Sequence, residues 1–167
     1  MSDPEEFRSG FIGIVGAPNV GKSTLLNSIL GTKAAITSPK PQTTRNRVVG
    51  IKNLPNAQLV FVDTPGVQRA PGTALNRQMV ATAVRTLREV DLVLLMTAVM
   101  GVDEANEAAL FERLHGIKPP VLLLINKIDL VPMAELLPLM DRYQHRHRFE
   151  EIIPISALKG TNVQKVL

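Results

Sequence analysis

The apolar residues of this chain follow two alternating patterns. Six short runs are almost wholly apolar, and between several of them apolar residues recur every three or four positions. The first pattern is typical of buried strands and the second of amphipathic helices. Their alternation predicts βα units stacked around a mainly parallel sheet. We therefore predict an α/β fold with three αβα layers and a six-stranded sheet.

The predicted strands are bounded by turn-forming residues, and they cover FIGIV (11–15), RVVGIK (47–52), AQLVFVD (57–63), DLVLLMT (91–97), PVLLLIN (120–126) and EIIPIS (151–156). The second and third are joined by NLPN, which predicts a hairpin. One strand of the sheet is therefore expected to be antiparallel.

Helices are predicted between these strands. The segment 22–30 places Leu25, Leu26, Ile29 and Leu30 on one face, and a second helix carries Val80, Ala83, Val84 and Leu87. A third covers 104–115, and a fourth is expected to start near Pro138, because proline is tolerated in a first turn but not inside a helix. The segment 161–167 opens a last helix that is shorter than usual. We expect that this helix is cut short from a longer protein.

Composition narrows the class of protein. The 167 residues include no cysteine, which excludes disulfides, thiol nucleophiles and zinc–thiolate sites. The net charge of +4 slightly favours polyanionic binding partners. The longest apolar runs have about five residues, against the ~20 that span a bilayer, and the acidic N-terminus is no signal peptide. We expect a cytoplasmic protein with one domain over 11–167, preceded by a tail over 1–10 that is either native or left from cloning.

The first predicted strand runs into G-x-x-x-x-G-K-S and then a helix, which is the pattern of a phosphate-binding loop. Its glycines let backbone N–H groups curl round a phosphate, and the helix N-terminus adds partial positive charge. Lys22 is expected at the β- and γ-phosphates and Ser23 on Mg²⁺. The predicted nucleotide-binding residues of this loop are Gly16, Asn19, Val20, Gly21, Lys22, Ser23 and Thr24.

A second motif, DTPG, follows the third strand. Asp63 stands where open α/β sheets place their ligands, and we expect it to hold Mg²⁺, through a water molecule. The N–H of Gly66 is expected to sense a γ-phosphate. Behind a phosphate loop, an ordinary Asp-Pro-Gly turn is the less favoured interpretation.

The motif NKID (126–129) predicts which base is bound. The Asp129 carboxylate can accept hydrogen bonds from the N1–H and the 2-amino group of guanine, and adenine offers neither group. A buried site built on such bonds discriminates strongly. Asn126 and Lys127 are expected to brace the loops and cover the ring, the Ala157 N–H to contact guanine O6, and Ser156 to support that turn. The predicted ligand is GTP or GDP.

Together, GAPNVGKS, QTTR, DTPG, NKID and ISALKG resemble the translation-factor-related P-loop GTPases of bacteria, and TSPKPQTTRNRVVG resembles the Era-type members. The resemblance covers 11–167. It implies a GTPase of small ribosomal subunit assembly, whose nucleotide domain precedes a KH-type domain that binds 16S rRNA. That domain is absent from this sequence, so we expect weak or no RNA binding here. Leu158 replaces a polar residue common in the family. No feature of the sequence predicts peripheral membrane association.

The resemblance also assigns a switch and a rate. Thr44 matches the mobile-loop threonine that joins Mg²⁺ when a γ-phosphate is present, with Thr43 as the alternative. Val67 stands where related enzymes have a water-orienting glutamine, and neighbouring Gln68 is expected to point elsewhere. We therefore expect slow unassisted hydrolysis, at or below about 10⁻⁴ to 10⁻² s⁻¹. A binding module gated by guanine nucleotide, with negligible hydrolysis, is the rival interpretation, and a related GTPase of another assembly or tRNA-modification step is a further one.

Two sources could supply extra positive charge to the phosphates. One is an arginine among Arg45, Arg47 and Arg69. The other is a K⁺ ion held with the help of the Asn19 side chain, whose alternative role is only to stabilise the turn.

The densest basic run is RYQHRHRF (142–149). It is either an RNA-facing patch or a set of cations near a helix C-terminus, where the helix dipole favours them. His115, His145 and His147 have no carboxylate or cysteine framework around them, so no metal site is predicted there.

Overall fold

The computed structural model describes residues 7–31, 47–63, 87–102 and 104–167. Its six strands are β1 (Arg8–Gly16), β2 (Arg47–Leu54), β3 (Ala57–Asp63), β4 (Leu92–Ala98), β5 (Val121–Asn126) and β6 (Glu151–Pro154). They form one sheet in the order β2-β3-β1-β4-β5-β6. Only β2 is antiparallel to its neighbour. The predicted mixed six-stranded sheet is confirmed.

Three α-helices lie wholly within the described ranges: α1 (Lys22–Leu30), α2 (Glu104–Leu114) and α3 (Met133–Gln144). Two 3₁₀ helices, Ile128–Leu130 and Val163–Val166, follow β5 and β6. The predictions of α1 and α2 are confirmed, and Leu25 and Ile29 are buried on the predicted face of α1. For the helix expected around Val80, Ala83, Val84 and Leu87, only Leu87 lies in the described residues, where it is buried.

The prediction that a helix starts near Pro138 is wrong. The helix starts at Met133, so Pro138 lies inside it. Proline has no N–H for the carbonyl of Ala134, one turn earlier. Both residues are exposed, so this carbonyl can bind water instead.

The end of the chain also differs from the prediction. Instead of opening an α-helix, 161–167 forms the short 3₁₀ helix Val163–Val166. Asn162, directly before it, has φ 59°. Val163 and Val166 are buried, so their apolar spacing fits this tighter helix as well.

The sheet separates two apolar layers. On one face α1 and the final 3₁₀ helix pack on strand residues such as Ile14, Leu94 and Leu124. On the other face α2 and α3 contribute Phe111, Leu114 and Tyr143 against Val15, Val93, Leu95, Leu123 and Ile125. This arrangement is the predicted three-layer fold, and it leaves the carboxyl ends of the parallel strands as a common edge. Within the described ranges, no helix has the length and apolar character to cross a bilayer.

Candidate functional site

The loops that follow β1, β5 and β6 meet at the carboxyl edge of the sheet. The first joins Gly16 to α1, the second contains the 3₁₀ helix Ile128–Leu130, and the third holds Ser156 and Ala157. Parallel strands place such loops side by side, and open α/β sheets bind ligands there.

The loop after β1 requires glycine at two positions. A Cβ on Gly16 would lie 2.4 Å from the carbonyl oxygen of Met96, so no side chain fits. Gly21 has φ +105°, in the left-handed region that glycine adopts readily. These glycines bring the backbone close to β4 and turn it directly into α1.

Lys22 is the first residue of α1, and its side chain folds back over this loop. Its Nζ donates hydrogen bonds to the carbonyl oxygens of Gly16 (2.9 Å) and Ala17 (2.8 Å). The first hydrogen bond of α1 runs from the Leu25 N–H to the Gly21 carbonyl oxygen. The ammonium group and the helix N-terminus therefore add their positive charge to the same loop, while Ser23 and Thr24 are exposed in the first turn.

Asn126, at the end of β5, connects the three loops. Its Nδ2 donates to the carbonyl oxygen of Val20 at 2.7 Å, and its Oδ1 accepts from the Ala157 N–H at 2.9 Å. The residue is only 3% exposed. A Cβ on Gly21 would lie 2.3 Å from Nδ2, so the glycine also makes room for this amide.

The carboxylate of Asp129 is held from the third loop. Ser156 Oγ donates to Asp129 Oδ1 at 2.6 Å and accepts from the Lys159 N–H at 3.2 Å. Lys127, between Asn126 and the 3₁₀ helix, has φ 66°, which turns the chain sharply after β5. The Ala157 N–H, expected to meet guanine O6, has a protein acceptor here, Asn126 Oδ1.

Several predicted site residues lie outside the described residues: Thr43, Thr44, Arg45, Gly66, Val67, Gln68 and Arg69. For Asp63 and Arg47 only the backbone is described, and the two residues pair across β3 and β2. Asp63 also pairs with Ile14 in β1, so its backbone stands at the same edge of the sheet as the phosphate loop. Asn19, in that loop, is exposed and has φ 62°.

In the described part of the chain, no three histidine, cysteine or acidic side chains gather as a metal site. His147 packs on Phe149, with 5.2 Å between ring centroids. Burial, together with repulsion from the nearby His115, lowers the pKa of His147.

A polar network is buried between β4, α2 and α3, and the sequence motifs do not predict it. Glu107 Oε1 accepts from Thr97 Oγ1 (2.6 Å) and from the Tyr143 hydroxyl (2.7 Å), and Oε2 accepts from Arg146 Nη1 (2.6 Å). The Arg146 guanidinium also lies 4.1 Å from the centre of the Phe111 ring. One cation of the basic run is therefore engaged in contacts within the protein, with its side chain 34% exposed.

The network changes the acidity of Tyr143. Burial, with a contribution from Glu107, raises the pKa of Tyr143 to about 12.

The sequence does contain a signal for this network. Glu107 falls on the apolar face of α2, three, four and seven residues before Leu110, Phe111 and Leu114, and a carboxylate on such a face needs buried partners.

Comparison with known proteins relates the chain to GTPases. A family model described as "50S ribosome-binding GTPase" matches residues 11–127. A curated protein named GTPase Era from Syntrophus aciditrophicus is 52% identical over 161 residues, which are 96% of this chain and 52% of that protein. A GTPase Era from Geobacter sp. is 52% identical over 164 residues, 98% of this chain and 54% of that protein.

Solved structures give the same relation. An Aquifex aeolicus Era variant bound to GDP·AlF₄⁻ has a TM-score of 0.75 at 45% identity, over 95% of this chain and 54% of that one. Era in complex with MgGDPNP and nucleotides 1506–1542 of 16S ribosomal RNA has a TM-score of 0.77 at 44% identity, over 96% of this chain and 55% of that one. The chain thus spans about half the length of the relatives it matches.

Proposed function

This chain belongs to the family of 50S ribosome-binding GTPases and to its Era type, and from that premise we propose that it binds GTP and GDP with Mg²⁺ and hydrolyses GTP. The observation that carries the proposal is the position of Asn126. One amide side chain joins the phosphate loop to the loop of Ser156 and Ala157, beside the Asp129 carboxylate. A single ligand with a polyphosphate at one end and a base at the other fits that arrangement.

The phosphates would lie in the loop between β1 and α1. Lys22, which already lies over this loop, would exchange its two carbonyl acceptors for phosphate oxygens. Backbone N–H groups from Asn19 to Thr24 and the N-terminus of α1 complete the anion site. Ser23, exposed at its rim, fits a metal ligand, with Thr44 and Asp63 as its proposed partners. Mg²⁺, when bound, neutralises charge on the β- and γ-phosphates.

The base would be read by Asp129, whose carboxylate accepts from guanine N1–H and the 2-amino group. Ser156 Oγ, at 2.6 Å, holds one carboxylate oxygen in place. The Ala157 N–H already donates to Asn126 Oδ1. It can therefore also donate to guanine O6 only if the two acceptors share it in a three-centre hydrogen bond. Lys127 is proposed to cover the ring.

The decisive experiment is calorimetry of the 167-residue protein with GDP and ATP, each with Mg²⁺. We expect GDP to bind and ATP to bind at least about 10³-fold more weakly, because adenine leaves Asp129 unpaired. Equal affinities for the two nucleotides would refute the proposed base-reading role of Asp129.

Hydrolysis is proposed to be slow without a partner. Val67 offers no polar group to orient water, and Gly66 would contribute only a backbone N–H. We expect single-turnover phosphate release at or below about 10⁻² s⁻¹. Release too slow to detect would favour the binding module gated by guanine nucleotide.

We further propose that K⁺ assists this step beside Asn19. This side chain is exposed in the phosphate loop, where it can offer an oxygen to the ion. Hydrolysis is then expected to be faster in KCl than in NaCl at equal ionic strength. Because Asn19 has φ 62°, Asn19→Gly keeps the turn and removes only the side chain. Equal rates in the two salts would exclude the ion, whereas an unchanged stimulation in Asn19→Gly would exclude the proposed role of the Asn19 side chain.

The proposed cellular role is small-subunit assembly in the cytoplasm, through 16S rRNA. One of the similar solved structures holds Era with nucleotides 1506–1542 of that RNA. The chain spans about half of such relatives, so we expect these 167 residues to bind that RNA segment weakly or not at all. A mobility-shift titration, with a full-length Era as the control, measures this. Tight binding by these residues would place an RNA site within the nucleotide domain.

A further inference from the structure

The loop after β6 carries Ser156 and Ala157, and it is closed by two contacts. The Ser156 N–H donates to the carbonyl oxygen of Thr161 at 3.1 Å, an isolated bridge across the base of the loop. The side chain of Asn162 donates from Nδ2 to the carbonyl oxygen of Pro154 at 2.8 Å. Asn162 thus holds the last residue of β6, directly before the chain enters the loop.

Asn162 combines two properties that few residues share. Its φ of 59° lies in the left-handed region, which asparagine, aspartate and glycine tolerate best. Its amide supplies the donor for Pro154. Directly after it, Val163 is buried in the core layer that contains α1. The end of the loop at Val163 is therefore fixed in the core, and the hydrogen bond from the Asn162 amide holds the start of the loop, at Pro154, beside it.

A short series of contacts connects this tie to the proposed base-reading carboxylate. The N–H of Ile155, next to Pro154, donates to the carbonyl oxygen of Ile125 at 2.8 Å. The carbonyl oxygen of Ile155 accepts from the Ile128 N–H at 3.3 Å. Ser156 follows and donates to Asp129 Oδ1 at 2.6 Å. A shift of Pro154 would move Ser156, and Asp129 would lose the donor that orients it.

We propose that Asn162 is a positioning residue that sets the affinity and base selectivity of the site through Ser156 and Asp129. The inference rests on the proposed binding of guanine nucleotides. It assigns to Asn162 no contact with the ligand and no part in phosphate chemistry. Its loss should therefore weaken recognition of the base and leave hydrolysis of bound GTP unchanged.

The test compares two variants with a matched control. Asn162→Gly keeps the left-handed backbone and removes the amide, whereas Asn162→Asp keeps shape and backbone but places an acceptor against the Pro154 carbonyl. Gln164→Ala is the control, because it removes an exposed amide two residues further along. The ligands are GDP and IDP, and IDP lacks the 2-amino group that is proposed to donate a hydrogen bond to Asp129. Circular dichroism verifies that each variant is folded.

We expect both Asn162 variants to bind GDP roughly three- to tenfold more weakly than Gln164→Ala, the effect of one lost hydrogen bond. The preference for GDP over IDP should fall with it, while kcat at saturating GTP stays within about twofold. A general loss of stability would not lower that preference. Unchanged GDP affinity and GDP:IDP preference in both variants would overturn the inference alone. Failure of the unsubstituted protein to bind GDP would overturn the proposed function and this inference together.

Discussion

At the scale of single residues, the site depends on close packing between a backbone and one amide. Gly21 and Asn126 are neighbours in space, and the space a Cβ would occupy on Gly21 lies 2.3 Å from Asn126 Nδ2. The Asn126 amide uses the opening to reach the Val20 carbonyl oxygen. The second glycine of the phosphate-loop pattern therefore serves the connection to β5 as well as the turn.

Gly21→Ala is expected to disturb both of these roles. The substitution adds left-handed strain of about 1–2 kcal/mol and also displaces the Asn126 amide. We expect GDP affinity to fall roughly three- to tenfold, since one hydrogen bond of the connecting amide is lost. Calorimetry with GDP and urea denaturation measure the two effects.

Gly116→Ala is the matched control for that experiment. Gly116 has φ +78°, and a Cβ there meets nothing within 4 Å, so only the strain is reproduced. It should lose stability and keep GDP affinity. Equal losses of GDP affinity in both variants would show that strain alone is responsible.

Asp129→Asn is expected to exchange the preferred base. The asparagine oxygen still accepts from N1–H, but its amide repels the 2-amino group of guanine and donates to the 2-oxo group of xanthine. We expect GDP to bind at least about 10²-fold more weakly and XDP to bind better than GDP, by a few kcal/mol of relative affinity. Competition titrations measure the ratio, and a variant that still prefers GDP contradicts the assignment.

The residues of the proposed site can be named from their motifs, but their partners cannot. Motif spacing alone is enough to propose Lys22, Asn126 and Asp129 as site residues. It does not indicate that the Ala157 N–H is donated to Asn126, nor that Asn162 holds Pro154. The spacing specifies which side chains share an edge of the sheet, whereas hydrogen-bond partners depend on loop geometry to within about an ångström.

At the scale of elements, the sequence predicts strands well and helix limits less well. Buried runs such as 92–98 and 121–126 are recognisable because both their faces are apolar. The start of α3 differs from the prediction because Pro138 is not a first-turn residue, and in an exposed part of the helix the missing hydrogen bond is tolerated. Tertiary context, which periodicity does not include, decides both this helix and the 3₁₀ end.

Because of the network between β4, α2 and α3, we expect the free energy of unfolding to fall at alkaline pH. The pKa of Tyr143 is raised to about 12, above the ordinary value of 10.0, so the folded state holds this proton more strongly than the unfolded state. Its contribution is fully present below pH 10 and is lost as the pH rises toward 12. Urea denaturation between pH 8 and 11.5 should show the decline, and Tyr143→Phe should lack this component.

The same group can be titrated directly. The chain has one tyrosine, so tyrosinate absorbance reports Tyr143 alone. We expect a midpoint well above 10 in the native protein and near 10 in urea. A native midpoint near 10 would mean that the hydroxyl is not buried against Glu107. At neutral pH, Tyr143→Phe should cost about 1–3 kcal/mol, because Glu107 loses a buried donor.

At the scale of the whole molecule, a bound nucleotide should stabilise the folded protein against unfolding. It would contact the loops after β1, β5 and β6, and binding to the folded state alone stabilises by mass action. At 100 times its Kd, GDP should add about 2.7 kcal/mol and raise Tm by about 5–10 °C. ATP at the same concentration should leave Tm nearly unchanged. A thermal melt measures both, and equal shifts would argue against selectivity for guanine.

The Asn126 contacts also set an order of events during synthesis. Val20, whose carbonyl oxygen accepts a hydrogen bond from the Asn126 amide, is synthesised 106 residues before Asn126. Ala157, which donates to the same amide, follows 31 residues after Asn126. A nascent chain therefore carries its phosphate loop long before it can close the site around a nucleotide. Stabilisation by a nucleotide held between all three loops therefore becomes available only after β6, the last of the six strands, has been synthesised.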